Sequence, residues 1–353
     1  MNNLFEKITA QYHLKLPFVV YRKPKSEEVS ALFMPNKELN FVSNFNEKGF
    51  VFAPFSSDEK VILFSEEKAL RLSETVQLEN YNLKDTLFNT DSFSKEKHIK
   101  IVESAIEKIN ASDLQKVVIS REELVDITNF DLIKIYRKLL STYKNAFVYV
   151  WFHPKVGLWL GATPETLLSI QGTTFKTMSL AGTQVYTENE NVIWKTKELE
   201  EQLLVTNFIE SQLENIAANL EIDKIETVKA GNLLHLRTKV SGDLKETSSL
   251  EELIRALHPT PAVCGLPREI ASAFIFEKEG YNRSFYTGFL GELNIQHSKK
   301  DKKSSALFVN LRCMKIENNK AAVFVGGGIT KDSNAVKEWE ETVSKSKTMK
   351  RVL

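Results

Sequence analysis

What most constrains this chain is a long series of apolar runs of strand length that never settles into a regular strand–helix alternation. Runs at 18–21, 31–34, 49–52 and 61–64 are separated by Pro, Asn, Ser and charged residues, as short strands are. Further runs follow at 114–121, 146–152, 158–168, 285–291, 306–316 and 321–325. Between them, apolar residues recurring at three and four predict helices over 95–110 (Ile99, Val102, Ile106, Ile109) and 131–143 (Leu132, Ile135, Leu139, Leu140). A longer helix is predicted over 191–220, with Leu199, Leu203, Val205, Phe208, Ile209, Leu213 and Ile216 as its apolar stripe. Shorter helices are predicted over 249–257 and 268–279, and a last one from about Ser333. Strands with helices interspersed and no βαβ spacing imply an α+β fold rather than a doubly wound sheet. Residues 73–95 are polar and form the weakest break in composition; residues 1–90 read as scaffold strands without a catalytic cluster.

Composition excludes several classes. Net charge is +1, so nothing draws the chain as a whole to nucleic acid or an anionic membrane, and no Lys/Arg cluster interleaved with aromatics marks a local patch. Cys264 and Cys313 are far apart and lack metal-ligand spacing, which suggests a reducing compartment. The N-terminus shows no basic segment followed by an apolar core, and no apolar run is long enough to span a bilayer. The expectation is a cytoplasmic, soluble monomer without nucleic-acid or membrane partners.

The residues with chemical promise lie in the second half. An apolar run enters Gly326-Gly-Gly328, which offers close backbone approach and several N–H groups to an anion. In the helix that follows, Glu338, Glu341 and Lys345 share one face. This suits a carboxylate-held Mg²⁺ beside an anion cradle; it equally suits a solvated helix face after a glycine turn. Glu198 and Glu201 form a second pair three residues apart, and acidic residues near a helix start are favoured by the dipole in any case. Lys116 interrupts an apolar strand, either snorkelling at an edge or serving a site with a lowered pKa. Glu165 sits in a short turn between strands, a candidate general acid if burial raises its pKa. Residues 177–183 read as a small-residue turn. His235 lies in an apolar strand after a turn at Gly231-Asn232, and Arg312 is embedded in another, where it needs an anionic partner. The proline-rich loop at 257–267 is stiff, as loops that line sites are.

Taken in order, Lys116-Val-Val-Ile-Ser-Arg121, Gly161-Ala-Thr-Pro-Glu165, Leu180-Ala-Gly-Thr183, Glu198 with Glu201, Leu234-His-Leu-Arg-Thr238, His258-Pro-Thr-Pro-Ala-Val-Cys-Gly265, Tyr286-Thr-Gly-Phe-Leu-Gly291 and Gly326-Gly-Gly-Ile followed by Glu338, Glu341 and Lys345 resemble the chorismate-utilising enzymes. The similarity is greatest to the isochorismate synthases of menaquinone and siderophore pathways. It covers about residues 95–353 and is weak before them. It implies a single domain over 1–353, with variable scaffold strands at 1–90 and a catalytic core at 95–353. The fold implied is a large antiparallel β-sandwich with helices packed outside.

The resemblance also implies roles. Glu201 and Glu341 would hold Mg²⁺, with Glu198 and Glu338 in support. Arg312, Lys345, Tyr286 and the N–H groups of Gly326, Gly327 and Gly328 would bind the chorismate carboxylates. Ala181, Gly182, Thr183 and His235 would line the ring pocket. Lys116 would be the base that activates water for attack at C2, neutral because cations stand nearby, and Glu165 the acid that protonates the departing C4 hydroxyl. The implied activity is isochorismate synthase; menaquinone is the pathway expected, only because a quinone precursor is the commoner need, and a siderophore pathway stays open as an alternative. Alternatives are a salicylate synthase, which goes on to eliminate pyruvate, and a non-catalytic subunit of the same fold. Anthranilate synthases carry Gln where Lys116 stands, and aminodeoxychorismate synthases often carry Lys where this chain has Ala181. Two departures stand out: Gln202, where many relatives have His, and Cys264, in place of a smaller residue.

Overall fold

Strand-rich sequence becomes two stacked antiparallel sheets, with helices on their outer faces. The computed structural model describes residues 3–78, 81, 83, 91–186, 192–230, 233–296 and 301–353, without the side chains of 3, 183, 185, 197, 230 and 233. In one sheet the order is Gly265–Leu266, Lys116–Asp126, Lys320–Ile329, Cys313–Glu317, Gly157–Thr163, Phe147–His153, Phe18–Arg22, Glu28–Phe33 and Leu70–Thr75. In the other it is Ala217–Ile222, Leu233–Leu244, Thr174–Val185, Thr166–Gln171, Ser304–Val309, Phe289–Ile295, Gly49–Ala53, Ile62–Ser65 and Asn40–Phe41, with Glu226–Ala230 also on Leu233–Leu244. The expected α+β sandwich is therefore the observed fold. Residues from the first 90 supply strands to both sheets. No helix among the described residues is long and apolar enough to cross a membrane.

The unbroken apolar run at Phe147–His153 shows why alternation was absent from the sequence. Phe147, Tyr149 and Trp151 point between the sheets, while Val148, Val150 and Phe152 point to the outer core under the helices. Both faces are buried, so neither can be polar. Between the sheets, Phe147 stacks on Phe308 and Phe52 on Phe285, each with ring centroids 4.2 Å apart. Tyr21 donates to Glu292 across the sandwich at 2.6 Å.

Among the described residues the helices are α1 (Asn3–His13), α2 (Ser92–Ala111), α3 (Leu132–Thr142), α4 (Thr196–Leu213), α5 (Leu250–Leu257), α6 (Arg268–Lys278) and α7 (Ala335–Lys350). Side chains of Asp91, Asp131, Ser249 and Asn334 accept from backbone N–H groups at the starts of α2, α3, α5 and α7, satisfying donors that the helix itself leaves unpaired.

Several expectations are corrected. A helix, α1, precedes the first strand. The long helix predicted over 191–220 is the shorter α4, followed by strand Ala217–Ile222. Of the predicted stripe, Val205, Ile209 and Leu213 are buried and Phe208 and Ile216 pack against the core, but Leu199 and Leu203 are exposed. Polar Gln202 and Thr206 take the inner face there instead, which the apolar pattern did not show. Residues 177–183 are not a turn but part of strand Thr174–Val185, bulged between Ala181 and Thr183, with Gly182 at φ +63°. The run at 306–316 is two strands, one in each sheet, joined by a crossing at 310–312 where Arg312 takes φ +48°. The Asn310 side chain anchors that crossing, donating to Phe285 O at 2.8 Å and accepting from Tyr149 at 2.6 Å. The turn at Gly231-Asn232 lies outside the described residues, as does much of the polar stretch at 73–95.

A buried pair ties α6 and the proline-rich loop to the strand that begins at Lys116. Arg283 donates to Glu279 at 2.5 and 2.8 Å, to Val263 O at 2.9 Å and to Val118 O at 2.7 Å. Glu279 in turn accepts from Ser120 N at 2.6 Å. Removing one partner leaves the other charge buried, which costs far more than the pair itself contributes. Arg283→Met is expected to lower unfolding free energy by about 3–5 kcal/mol in urea denaturation; a loss below about 1 kcal/mol would show that water reaches and solvates Glu279.

Candidate active site

The site lies where the strand Lys320–Ile329 outruns its neighbour. Residues 320–323 pair with Cys313–Glu317 on one side, and the whole strand pairs with Lys116–Asp126 on the other. From Phe324 onward one edge is therefore open. The three glycines are in this strand, opposite Ser120, Ile119 and Val118. They are extended, not a loop or turn, and none has a positive φ. The expected cradle of three N–H groups is corrected accordingly. Val118 N donates away from the glycines to Cys264 O at 2.8 Å, and Ser120 N to Glu279 at 2.6 Å. Their opposite numbers Gly328 and Gly326 thus form non-hydrogen-bonded pairs and turn their backbone groups to the open edge, whereas Gly327 turns inward. Lys345 Nζ meets the carbonyl of Gly326 there, at 3.0 Å.

What the glycines supply is room. A Cβ on Gly328 would stand 2.6 Å from Glu201 Oε1 and 2.9 Å from Lys116 Cε; one on Gly327 would touch Glu338 and Glu341 at 3.4 and 3.8 Å. The two carboxylate pairs read from the sequence are thereby brought together, Glu198 and Glu201 from α4 and Glu338 and Glu341 from α7, around one cavity. Its wall also holds Glu165, Ala181, Gly182, His235, Tyr286, Arg312, Gly326, Gly327, Gly328 and Lys345. The side chain of Thr183 lies outside the described residues. Lys116 is not on the wall itself; it lies behind Glu201 and Gly328.

Each side chain has a definite setting. Lys116 is fully buried, so it is no edge lysine, and its Nζ lies 2.8 Å from Glu201 Oε1. Its nearest charged neighbour is a carboxylate, where the resemblance implied cations. Glu341 Oε1 meets Lys345 Nζ at 2.5 Å. Glu198 Oε2 accepts from Lys195 N at 2.9 Å and so caps α4 as well as facing the cavity. Glu338 is buried. His235 Nδ1 lies 3.1 Å from Gly182 O; burial first, then Arg312 and Lys345, pushes its pKa down to about 3, so the ring is neutral. Tyr286 stacks on Phe324 with centroids 5.4 Å apart, and burial raises its hydroxyl pKa. Arg312 is not embedded in a strand but sits at the inter-sheet crossing. Among the described residues its guanidinium donates to Lys345 O at 3.5 Å and Thr348 Oγ1 at 3.2 Å, not to the carboxylate expected.

Glu165 is strongly perturbed. It is buried at the corner between strands Gly157–Thr163 and Thr166–Gln171, and burial lifts its pKa to about 8 although Lys116 and Lys345 pull it down. At neutral pH it is a protonated acid able to donate.

Some members of the site carried no chemical signal in sequence. Pro164, Leu180, Thr287, Leu311 and Phe324 line the wall as shape. Ala262 and Val263 do too, as the stiffness of the proline-rich loop suggested. Gln202 acts on the backbone of the site: its Nε2 donates to Ser179 Oγ at 2.7 Å and Thr238 Oγ1 at 3.0 Å, and its Oε1 accepts from Ala181 N at 2.9 Å. It thereby fixes the bulge that carries Ala181 and Gly182. Cys264 is buried with Sγ 3.2 Å from Ser272 Oγ, in the packing under α6.

Four carboxylates around one cavity form a hard-oxygen donor set, the kind that suits Mg²⁺. Among the described residues, no three acidic, His or Cys groups stand close enough to hold an ion as they are. Lysines now occupy Glu201 and Glu341, so the donors fit by chemistry and would have to exchange partners.

A model of the chorismate binding enzyme family matches residues 50–353. The chain belongs to that family. Among curated relatives, isochorismate synthase MenF of Bacillus subtilis is 29% identical over 271 residues, covering 73% of this chain and 56% of that protein. Isochorismate synthase DhbC of the same organism is 28% identical, covering 71% and 66%, and isochorismate synthase EntC of Escherichia coli is 29% identical, covering 68% and 62%. The chain thus matches less than two thirds of these relatives' lengths. A solved Bacillus anthracis protein, DhbC, assigned as a 2,3-dihydroxybenzoate-specific isochorismate synthase, superposes with a TM-score of 0.82 at 26% identity, over 99% of both chains. The menaquinone-specific isochorismate synthase MenF from Escherichia coli shares the fold, with a TM-score of 0.77 at 20% identity over 96% of this chain and 88% of its own.

The raised pKa of Glu165 sets two expectations with one sign. Its folded pKa of about 8 exceeds the ordinary 4.5, so the neutral carboxyl's share of stability is full below pH 4.5 and lost as pH rises through about 8. Turnover that needs this proton should fall about tenfold per pH unit above pH 8. Glu165→Gln should be nearly inactive and should lose less stability than wild type between pH 6 and 9 in parallel urea titrations. Equal pH dependence of stability in the two proteins would place the perturbed group elsewhere.

Proposed function

We propose that the protein is a Mg²⁺-dependent isochorismate synthase, converting chorismate to isochorismate by adding water at C2 and losing the C4 hydroxyl. The observation that carries the reading is a buried, protonated Glu165 on the wall of a carboxylate-lined cavity, with a buried Lys116 directly behind Glu201 and Gly328 of that wall. Hydroxide is a poor leaving group, so the C4 oxygen needs a proton, and water needs to lose one as it attacks. Glu165 is assigned as the acid at C4 and Lys116 as the base at C2. The proton that leaves water at Lys116 balances the proton that Glu165 gives to the departing oxygen, and the product has the composition of the substrate.

Chorismate carries two carboxylates. Arg312, Lys345 and the open-edge amides of Gly326 and Gly328 are assigned to them, with the Tyr286 hydroxyl beside Gly326. Neutral His235 and the Ala181-Gly182-Thr183 bulge are assigned to the ring. Glu201 and Glu341 would hold Mg²⁺, with Glu198 and Glu338 supporting. The ion would supply positive charge to a substrate carboxylate that four glutamates would otherwise repel. When Glu201 serves in that role, Lys116 is released from its ion pair. Lysine at position 116 favours water over ammonia as nucleophile, which supports the synthase of isochorismate over amino-transferring members of the family.

Purified protein incubated with chorismate and Mg²⁺ should yield isochorismate without pyruvate, and EDTA should abolish the conversion. Salicylate with equimolar pyruvate would move the assignment to salicylate synthase, and no product with or without added ammonia would leave a binding subunit. Lys116→Gln should reduce turnover by about a hundred- to ten-thousandfold, as loss of a positioned base does, while chorismate still binds in calorimetry. Retention of most activity by that variant would remove Lys116 from the chemistry.

A further inference from the structure

Adjoining the site is a larger cavity of about 590 Å³, against about 120 Å³ for the site itself. The two share one wall, made of Pro164, Leu180, His235 and Arg312. The outer cavity is lined by Lys25, Lys144, Lys229, Lys347 and Arg351 as well as Arg312, and no Asp or Glu appears among its described lining residues. Arg237 also lines it, but is engaged by Glu226 at 2.8 Å. The chain as a whole has 47 basic and 46 acidic residues, so a lining of one sign is local segregation rather than a consequence of composition.

The segregation has a contrast next to it. The inner cavity carries Glu165, Glu198, Glu201, Glu338 and Glu341 beside Arg312 and Lys345, whereas the charged lining of the outer cavity is cationic throughout. Its cations come from separate parts of the chain. Lys25 and Lys144 lie on loops joined by a hydrogen bond from Lys25 N to Lys144 O at 2.9 Å. Lys229 comes from strand Glu226–Ala230, with its amine 3.2 Å above the Tyr186 ring. Lys347 lies in α7, on the same helix as the site residues Glu341 and Lys345. Lys25, Lys144, Lys229 and Lys347 are exposed, so their charges act on solvent rather than on buried partners.

We propose that this outer cavity is the access vestibule for the anionic substrate, and that its lysines and arginines steer a small dicarboxylate to the wall formed by His235 and Arg312. The inference rests on the isochorismate synthase reading for the identity of the dicarboxylate. A cleft lined by one sign of charge focuses field lines and raises the local concentration of the opposite ion, with gains in capture of about ten- to a thousandfold that salt removes. The cations do not touch the reacting carbons, so their effect belongs to capture and not to the chemical step.

The test is kcat and kcat/KM for chorismate with Mg²⁺ between low and high KCl. Two charge-reversed proteins are compared with wild type: Lys25→Glu with Lys144→Glu on the loops, and Lys229→Glu with Lys347→Glu on the opposite side. A third, Lys37→Glu with Lys100→Glu, makes the same change in net charge at exposed residues that line neither cavity. Both vestibule variants should lose about tenfold or more in kcat/KM at low salt, keep kcat within about twofold, and show a flatter salt dependence than wild type; the third should match wild type. Unchanged kcat/KM and salt slope in both vestibule variants would overturn the proposal, as would an equal loss in the third protein. No conversion by the wild type would overturn the functional reading and the vestibule with it, whereas conversion with unaltered capture overturns the vestibule alone.

Discussion

The pairing of strand Lys116–Asp126 with strand Lys320–Ile329 is the constraint on which the site depends. Its register sets Gly328 against Val118, two residues from Lys116, and Gly326 against Ser120. Because Ser120 and Val118 spend their N–H groups on Glu279 and Cys264 O, the glycine strand keeps backbone groups for its open edge. Because Gly328 has no side chain, Glu201 and Lys116 can occupy the space a Cβ would take. A register shift of one residue would exchange the faces and separate these groups.

The helices are then held against this strand pair by polar contacts as much as by apolar ones. In α7 the buried face is Glu338, Trp339, Thr342, Ser346, Met349 and Lys350. Arg121 reaches it from the strand, donating to Thr342 Oγ1 at 2.9 Å and lying 4.3 Å from the Trp339 ring centroid, and Lys350 pairs with Glu123. On the other side, Gln202 bonds α4 to two strands at once. Such contacts are directional, so they fix where Glu341 and Glu201 project, at the cost that each buried polar group must remain partnered.

The sequence was informative where a residue's neighbours are local. The face shared by Glu338, Glu341 and Lys345, the pair Glu198 and Glu201, and the corner at Glu165 follow from helical period or from a turn between strands. It was silent where meaning comes from a distant partner. Three consecutive glycines read as an anion cradle or a turn, because only pairing with residues about two hundred positions away makes them a strand. The run at 306–316 is apolar throughout, and its passage from one sheet to the other depends on Asn310 finding Phe285 and Tyr149. Leu199 and Leu203 suggested the wrong face for the first turns of α4, since the inner face there holds Gln202 and Thr206 for hydrogen bonds to Thr238 and Ser179. The burial of Lys116, and hence its partner Glu201, is likewise a tertiary fact.

We propose that Lys116 and Glu165 together exchange a water oxygen for the C4 hydroxyl, which mass spectrometry can test on isochorismate formed from unlabelled chorismate in water enriched in heavy oxygen, with fragmentation to locate the label. One solvent oxygen per product molecule is expected, in the C2 hydroxyl. Isochorismate formed without solvent oxygen would mean that the original hydroxyl migrated within the substrate, and would contradict the roles given to Lys116 and Glu165.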